Sequence, residues 1–251
     1  MQVSESNQAL AVRRGRLCDM LWTGSVVLGL LAVALFLAYP DLDRVVSHAF
    51  YEDTGRFVGH LPAVQFVRSI FSWLFSVSCG LVVVGLLVTL IKGRAWLRLR
   101  FAQWMFLLLC FAVGPGLVAN IIFKDHWGRA RPVQVVEFGG DKSYTPPLTP
   151  SDQCARNCSF FSGEASAIFA LFFAAALVVP QWSTGLIFVG ILAGLADGTV
   201  RVLQGAHFMS DVLFAGIFMA LSVAALFALL FRVPWPSGKL DFNKLKHSKP
   251  S

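Results

Sequence analysis

The sequence predicts an all-α, polytopic membrane protein with six transmembrane helices, because charge is scarce and the apolar residues are grouped into long runs. Of the 251 residues, 56% are hydrophobic and 14% are charged, whereas soluble globular domains carry about 25% charged residues. A helix needs about 20 residues to cross a bilayer, and several runs approach that length. Each run is predicted to be helical, since lipid offers no hydrogen-bond partner to backbone amides.

The predicted helices lie at residues 21–39, 70–91, 101–123, 165–180, 184–200 and 211–231. Within the first, Ala32-Val33-Ala34 resembles a signal-peptide cleavage site, but the apolar run continues to Tyr39, which favours an uncleaved helix. The fifth is the weakest, because it is short, contains glycine and is expected to end at Asp197. Since no linker or repeat divides the chain, we expect a single domain over residues 1–251.

The net charge of +7 is explained by topology rather than by nucleic-acid binding. Basic residues favour the cytoplasmic side of a membrane, and placing both termini there puts twelve basic and three acidic residues on that side. The basic ones are Arg13, Arg14, Arg16, Lys92, Arg94, Arg98, Arg100, Arg232, Lys239, Lys244, Lys246 and Lys249. We therefore expect cytoplasmic tails at 1–20 and 232–251, and outer loops at 40–69, 124–164 and 201–210.

The first polar cluster in the outer loops is Lys124-Asp125-His126-Trp127-Gly128-Arg129-Ala130-Arg131-Pro132. Lys124 and Arg131 would project from one face if the third helix continued, and Pro132 would then end it. Two cations on one face suit a phosphate, with snorkelling at the membrane interface as the alternative. For Arg129 alone, snorkelling is the favoured interpretation.

The second cluster is Cys158-Ser159-Phe160-Phe161-Ser162-Gly163-Glu164-Ala165-Ser166, just before the fourth helix. Ser162 suits an N-cap, and Gly163 allows a ligand to approach the backbone closely. A helix N-terminus favours anions. The alternative is an ordinary capped helix start.

The third cluster runs from Arg201 to Asp211 and leads into the sixth helix. His207 and Asp211 are four residues apart, so they would share a helical face. A carboxylate in that position fixes the imidazole tautomer and leaves the other nitrogen free to attack, although such pairs are often purely structural. The predicted topology brings all three clusters to one membrane face, which independent snorkelling does not require.

Together the clusters resemble the type 2 phosphatidic acid phosphatase (PAP2) superfamily, which also includes the vanadium haloperoxidases. Its pattern is Lys-x6-Arg-Pro, then Pro-Ser-Gly-His, then Ser-Arg-x5-His-x3-Asp. The first element matches Lys124 and Arg131-Pro132, and the middle of the second matches Ser162-Gly163. The third element matches Arg201, His207 and Asp211 at the right spacing. The resemblance covers residues 100–215 and implies a PAP2/haloperoxidase-like bundle of six helices.

Three residues depart from the family pattern. Phe161 stands where proline is usual, Val200 where serine is usual, and Glu164 where the family has a histidine taken to protonate the leaving group. A carboxylic acid protonates a leaving group when its pKa lies near the working pH. We interpret Glu164 as a working acid or as a carboxylate that orients the substrate, with an impaired site as the alternative.

The resemblance implies a metal-independent lipid phosphatase without a cofactor. His207 would attack phosphorus to form a phosphohistidine, oriented by Asp211, and water would then hydrolyse that intermediate. The groups expected to hold the phosphate are Lys124, Arg131 and Arg201, together with the amides near Ser162 and Gly163. The active site would lie at the periplasmic face of a bacterial inner membrane.

Several substrates and one different class of function stay open. The run at 158–166 is similar to a bacterial subset of the superfamily that includes lipid A phosphatases, notably those acting at the 4'-position, so lipid A is the first candidate. Undecaprenyl pyrophosphate, phosphatidylglycerol phosphate and phosphatidic acid are alternatives, as is phosphate transfer to another lipid. A non-catalytic lipid binder or carrier is favoured only by Glu164. The sequence does not determine the oligomeric state.

The cysteines are too few and too scattered for a zinc site. Cys18, Cys79 and Cys110 are interpreted as packing residues. Cys154 and Cys158 lie four apart in a polar loop. A local disulfide is plausible there if the loop faces an oxidising compartment, with free thiols as the alternative.

Overall fold

The computed structural model describes the backbone of residues 2–232 and the side chains of residues 9–232. The predicted tail at 232–251 therefore lies outside the described residues except for Arg232. The helices are α1 (Gln2–Ala38), α2 (Leu42–His48), α3 (Pro62–Lys92), α4 (Phe101–Phe111), α5 (Lys124–His126), α6 (Gly163–Val178), α7 (Ser183–Leu203) and α8 (Met209–Phe231). A π-helical segment, Ala112–Phe123, joins α4 to α5, and β1 (Tyr51–Glu52) pairs antiparallel with β2 (Arg56–Phe57).

Five helical stretches of the described chain are long and apolar enough to span a membrane, one fewer than predicted. They are Ala9–Ala38, Pro62–Lys92, Phe101–His126, Pro180–Leu203 and Met209–Phe231. The fourth predicted helix, α6, has 16 residues and rises only about 24 Å at 1.5 Å per residue. It packs against α4, α7 and α8 with most of its residues buried. Its apolar composition therefore reflects its central position in the bundle. It still carries the chain from Gly163 at one end of the bundle to the opposite end, where Arg14 of α1 donates to the Leu177 carbonyl.

Lipid-facing surfaces are visible on the outer helices. Many large apolar side chains of α1, α3 and α7 are exposed, including Leu30, Trp73 and Phe188. Exposed apolar surface on this scale is unfavourable in water and is expected where helices contact lipid. The chain is thus a multi-pass, all-α membrane protein. Helix α1 begins at Gln2, so the expected N-terminal tail at 1–20 continues the first helix.

The third membrane helix changes its winding before it reaches the first polar cluster. Pro115 lies inside the π-helical segment, where a proline lacks the backbone N–H of a regular helix. Asn120 donates from Nδ2 to the Pro115 carbonyl at 2.8 Å. The helix then ends at His126, and Gly128 adopts φ +71°. The expectation that Lys124 and Arg131 share one face of a continued helix is therefore wrong.

Asp197 does not interrupt helix α7, which extends beyond the predicted range 184–200. The helix continues to Leu203, and Asp197 lies buried within it. Gly205 (φ +62°) then turns the chain toward α8, at a place where a Cβ atom would lie 2.4 Å from the Phe57 ring. The turn brings His207 to the same end of the bundle as Lys124 and Gly163. We call this end, which also holds Asp43 and Arg201, the polar end.

Candidate active site

His207 lies in the turn before α8 and is 1% exposed. Its Nδ1 atom is 2.8 Å from the Ser159 carbonyl oxygen, which can only accept a hydrogen bond. Nδ1 must therefore carry the proton, and Nε2 keeps its lone pair. Asp211 is farther from Nδ1, with Oδ2 at 3.4 Å. The two residues meet around the start of α8 rather than on one helical face, since α8 begins at Met209.

The imidazole is held in its neutral form. Burial lowers the pKa of His207 to about 4, the hydrogen bond and charge of Asp211 oppose that decrease, and the positive charges of Lys124 and Arg201 add to it. A neutral imidazole with a free Nε2 is the nucleophilic form of histidine. The same interactions indicate that Lys124 and Arg201 lie near His207.

Asp211 is positioned by a buried network that sequence reasoning did not find. Its carboxylate accepts hydrogen bonds from the Ser159 hydroxyl, from the Phe208 backbone N–H at 2.8 Å and from Arg129 Nη1 at 2.8 Å. Ser159 therefore contacts both members of the His207–Asp211 pair, one through its carbonyl and one through its hydroxyl.

Arg129 joins this network to the N-terminal part of the chain. Its guanidinium is fully buried and pairs with Asp43 and Asp211, each at 2.8 Å. Its Nε donates to the Thr145 carbonyl at 2.9 Å, and its guanidinium carbon lies 4.1 Å from the centre of the Phe208 ring. The interpretation of Arg129 as a snorkelling residue is therefore wrong. A distant partner such as Asp43 leaves no local sequence signal.

Lys124 lies directly against the N-terminus of α6. A Cβ atom at Gly163 would be 3.0 Å from Lys124 Nζ and 2.8 Å from Asn120 Oδ1. Glycine at this position thus leaves room for the ammonium group beside the first turn of α6. Ser162 is the N-cap, as predicted, and its side chain accepts from the Ala165 N–H at 3.4 Å. A cation and a helix N-terminus therefore meet here, which suits an anion.

Arg131 and Arg201 add two more positive charges at the polar end. Arg131 has an extended backbone, and its Nη2 donates to the Asn157 carbonyl at 2.9 Å. Burial lowers the pKa of Arg131, while the negative charges of Asp211 and Glu164 raise it. Arg201 is largely buried near the end of α7, and its Nε atom has no hydrogen-bond partner among the described residues. A bound oxyanion would supply one.

Glu164, in the first turn of α6, is held by arginines rather than free. Both its oxygens accept from Arg68 of α3, at 2.8 and 3.1 Å, and Arg201 Nε lies 3.7 Å from Oε1. Two guanidinium groups favour the ionised carboxylate. Arg68 went unnoticed in the sequence because it precedes an apolar run and belongs to none of the three clusters.

Two further features concern metals and sulfur. The described residues contain no group of three or more His, Cys, Asp or Glu side chains arranged to hold a metal ion. Cys154 and Cys158 are joined by a disulfide, with Cα atoms 5.6 Å apart, while Cys18 and Cys110 are buried free thiols. The disulfide lies in the loop that carries Asn157, a partner of Arg131.

Comparison with known proteins agrees with this architecture. The sequence profile of the PAP2 superfamily matches residues 103–235. A lipid A 4'-phosphatase of Francisella tularensis subsp. novicida (strain U112) is 38% identical over 82% of this chain and 96% of its own length. One of Rhizobium leguminosarum is 30% identical over 78% and 91%. The solved structure of a transmembrane PAP2 type phosphatidylglycerolphosphate phosphatase from Bacillus subtilis shares the fold, with a TM-score of 0.53, 19% identity, and coverage of 82% of this chain and 94% of that one.

Proposed function

Because this chain belongs to the PAP2 superfamily and is a membrane lipid phosphatase, we propose that His207 is its nucleophile and forms a phosphohistidine. One observation carries the proposal. The Ser159 carbonyl accepts from Nδ1, so the lone pair of the buried imidazole is on Nε2. Asp211 sits close enough to stabilise the positive charge that develops on the ring during attack.

We propose that Lys124, Arg131 and Arg201 hold the phosphate oxygens, with the amides at Ser162 and Gly163. The contact between Lys124 and the first turn of α6 supports this assignment. So does the Nε atom of Arg201, which has no hydrogen-bond partner in the described part of the chain. Positive groups that are already in place stabilise the charge of the transition state without reorganising, which is often the largest catalytic contribution. The proposed chemistry uses these side chains and needs no metal or cofactor.

Glu164 acts in this proposal through the arginines. Its bidentate contact with Arg68 favours an ionised carboxylate, which has no proton to donate. We propose that Glu164 orients Arg201 toward the phosphate. This role is closer to the orienting carboxylate considered from the sequence than to the acid.

The proposed substrate is the 4'-phosphate of lipid A, a sugar phosphomonoester. This proposal is supported by two relatives named lipid A 4'-phosphatase, which are 38% and 30% identical to this chain over most of its length. A free phosphate ester at a membrane surface fits a site at one end of a helical bundle. We further propose that the polar end faces the periplasm of an inner membrane, because twelve of the basic residues then lie on the cytoplasmic side.

The function is tested by phosphate release from lipid A in detergent, with the purified protein. We expect the wild type to release the 4'-phosphate, also in the presence of a chelator, and to form an acid-labile phosphoenzyme that is trapped at alkaline pH. His207→Ala should abolish both signals. His126→Ala is the matched control, since His126 is an exposed histidine of the same polar end. Equal phosphate release by His207→Ala and wild type would exclude the mechanism.

The same assay separates the alternatives. Release from undecaprenyl pyrophosphate or phosphatidylglycerol phosphate but not lipid A would reassign the substrate, and a labelled lipid product instead of free phosphate would identify a transferase.

The orientation is tested with a membrane-impermeant thiol reagent on intact cells. Lys142→Cys should react and Arg98→Cys should not, and the reverse pattern would contradict the periplasmic site.

A further inference from the structure

Asp197 is a buried carboxyl group that the mechanism above leaves without a role. Its side chain is 0% exposed, and neither of its oxygens has a hydrogen-bond partner within residues 9–232. Burying a carboxylate without a partner is costly, and ionisable groups within membrane helices generally mark functional sites. The position therefore calls for a chemical explanation.

A cavity of about 320 Å³ is lined by Asp197 together with Lys124 and Gly163 of the proposed phosphate site. It lies between α3, the π-helical segment, α6 and α7. Its lining includes Phe75, Asn120, Lys124, Gly163, Glu164 and Asp197. Asp197 thus borders the same space as the ammonium group proposed to bind phosphate. It also lies one turn before Arg201 on the same face of α7.

The proposed reaction needs a proton donor that Glu164 is poorly suited to provide. When His207 displaces a sugar oxygen from phosphorus, that oxygen must gain a proton to leave as an alcohol. The family has a histidine at the position of Glu164, but the Glu164 carboxylate is paired with Arg68. Asp197 differs, because burial without a hydrogen-bond donor favours the neutral carboxyl group, which carries a proton.

We propose that Asp197 is the general acid of this phosphatase, an inference that rests on the proposed function. In the first step the Nε2–P bond forms, the P–O ester bond breaks, and the Asp197 proton moves to the leaving oxygen. In the second step water attacks phosphorus and the N–P bond breaks. The water proton passes to the Asp197 carboxylate, so phosphate leaves and the carboxyl group is restored.

The test compares Asp197→Asn with Glu164→Gln on two leaving groups, lipid A and 4-nitrophenyl phosphate. The sugar oxygen of lipid A needs a proton to leave, whereas 4-nitrophenolate leaves as an anion. General acid catalysis contributes about 10²–10⁴-fold, so Asp197→Asn should slow lipid A hydrolysis by about that factor and change the aryl phosphate rate little. Glu164→Gln should slow both substrates by a similar factor, since it disturbs the arginines.

Equal slowing of both substrates by Asp197→Asn would overturn the acid role and indicate that Asp197 only positions Arg201.

If the wild type does not accept the aryl phosphate, the dependence of kcat on pH with lipid A decides. The charged groups facing Asp197 are Arg68, Lys124, Glu164 and Arg201. The alkaline decrease of kcat should move to higher pH in Asp197→Asn, where Lys124 is still able to lose its proton, and should keep its wild-type position in Glu164→Gln. An unchanged position in Asp197→Asn would refute the inference. Failure of the proposed function is distinct, because the wild type would then release no phosphate or His207→Ala would release as much.

Discussion

Replacing Arg129 with methionine tests whether its guanidinium holds the polar end of the bundle together. The substitution keeps a long side chain that can pack on Phe208, but it removes the cation between Asp43 and Asp211. Both carboxylates are fully buried and each lies 2.8 Å from Arg129. Removing one partner of a buried ion pair typically costs about 3–5 kcal/mol, because the remaining charge stays buried.

That cost is measurable as thermal stability in detergent. One kcal/mol shifts Tm by about 2–4 °C in a chain of this size, so Arg129→Met should lower Tm by an amount on the order of 10 °C. Arg131→Met is the matched control, since Arg131 is only partly buried and bonds to Asn157. A partly exposed contact of this kind is worth about 1 kcal/mol or less. We expect Arg131→Met to leave Tm nearly unchanged while activity falls.

The pH dependence gives a second check on the same reasoning. Burial already raises the pKa of Asp43, and Arg129 opposes that increase. Without Arg129 the pKa of Asp43 in the folded protein rises further above its unfolded value. A raised carboxyl pKa destabilises the fold as pH rises above the unfolded value. Arg129→Met should therefore lose more stability at about pH 8 than at about pH 5. A Tm equal to that of Arg131→Met at both would refute the buried-pair argument.

Four further results are expected. Gly163→Ala places a Cβ atom 3.0 Å from Lys124 Nζ and should lower kcat/KM by about 10²-fold, because it displaces that ammonium group. Gly80→Ala is the control, since a Cβ atom there has nothing within 4 Å, and it should match the wild type in the same phosphate-release assay. Lys124→Ala should raise KM and lower kcat, because its contact strengthens as charge develops; unchanged values of both would remove it from the phosphate site. The pKa of His207 is about 4. The rate of phosphoenzyme formation, measured by rapid quench, should therefore be constant from about pH 7 to about pH 5 and should decrease near pH ~4, where the imidazole is protonated. A decrease centred near pH ~6.5 would contradict the burial argument. Finally, Arg68→Met combined with Glu164→Gln should be more active than Glu164→Gln alone, because the Arg68 guanidinium no longer stands beside the site without its carboxylate partner. An additive loss would argue against the pairing.

The helices were predictable because long apolar runs in lipid have few alternatives. The family membership was also correctly predicted from Lys124, His207 and the other spaced polar residues, and the comparisons confirm it. Within the described residues, five helices rather than six are long and apolar enough to span a membrane by themselves, although α6 also passes from one end of the bundle to the other. Helix α6 is apolar because protein surrounds it, and hydropathy does not distinguish a helix buried in protein from one exposed to lipid.

The residues missed in the sequence are those whose partners lie far away along the chain. Asp43 and Arg129 are 86 residues apart, and Arg68 and Glu164 are 96 apart. Asp43, Arg68 and Arg129, taken alone, look like surface charges near helix ends. Only the tertiary contact identifies each as a buried or positioning group, so local spacing rules have no access to it. Ser159 is a similar case, since a serine before an N-cap carries no signal of its two contacts.

The pairing of Glu164 with Arg68 explains how the chain can replace a family histidine with a carboxylate. A carboxylate at that place, if alone, would cancel part of the positive charge of Lys124, Arg131 and Arg201 and weaken phosphate binding. Arg68 supplies a compensating charge from α3, at 2.8 Å from Glu164. In the proposed mechanism the exchange therefore preserves the positive charge of the site but leaves no proton donor at this position. We therefore expect the acid elsewhere along the same cavity, at Asp197, whose carboxyl oxygens have no hydrogen-bond partner among residues 9–232.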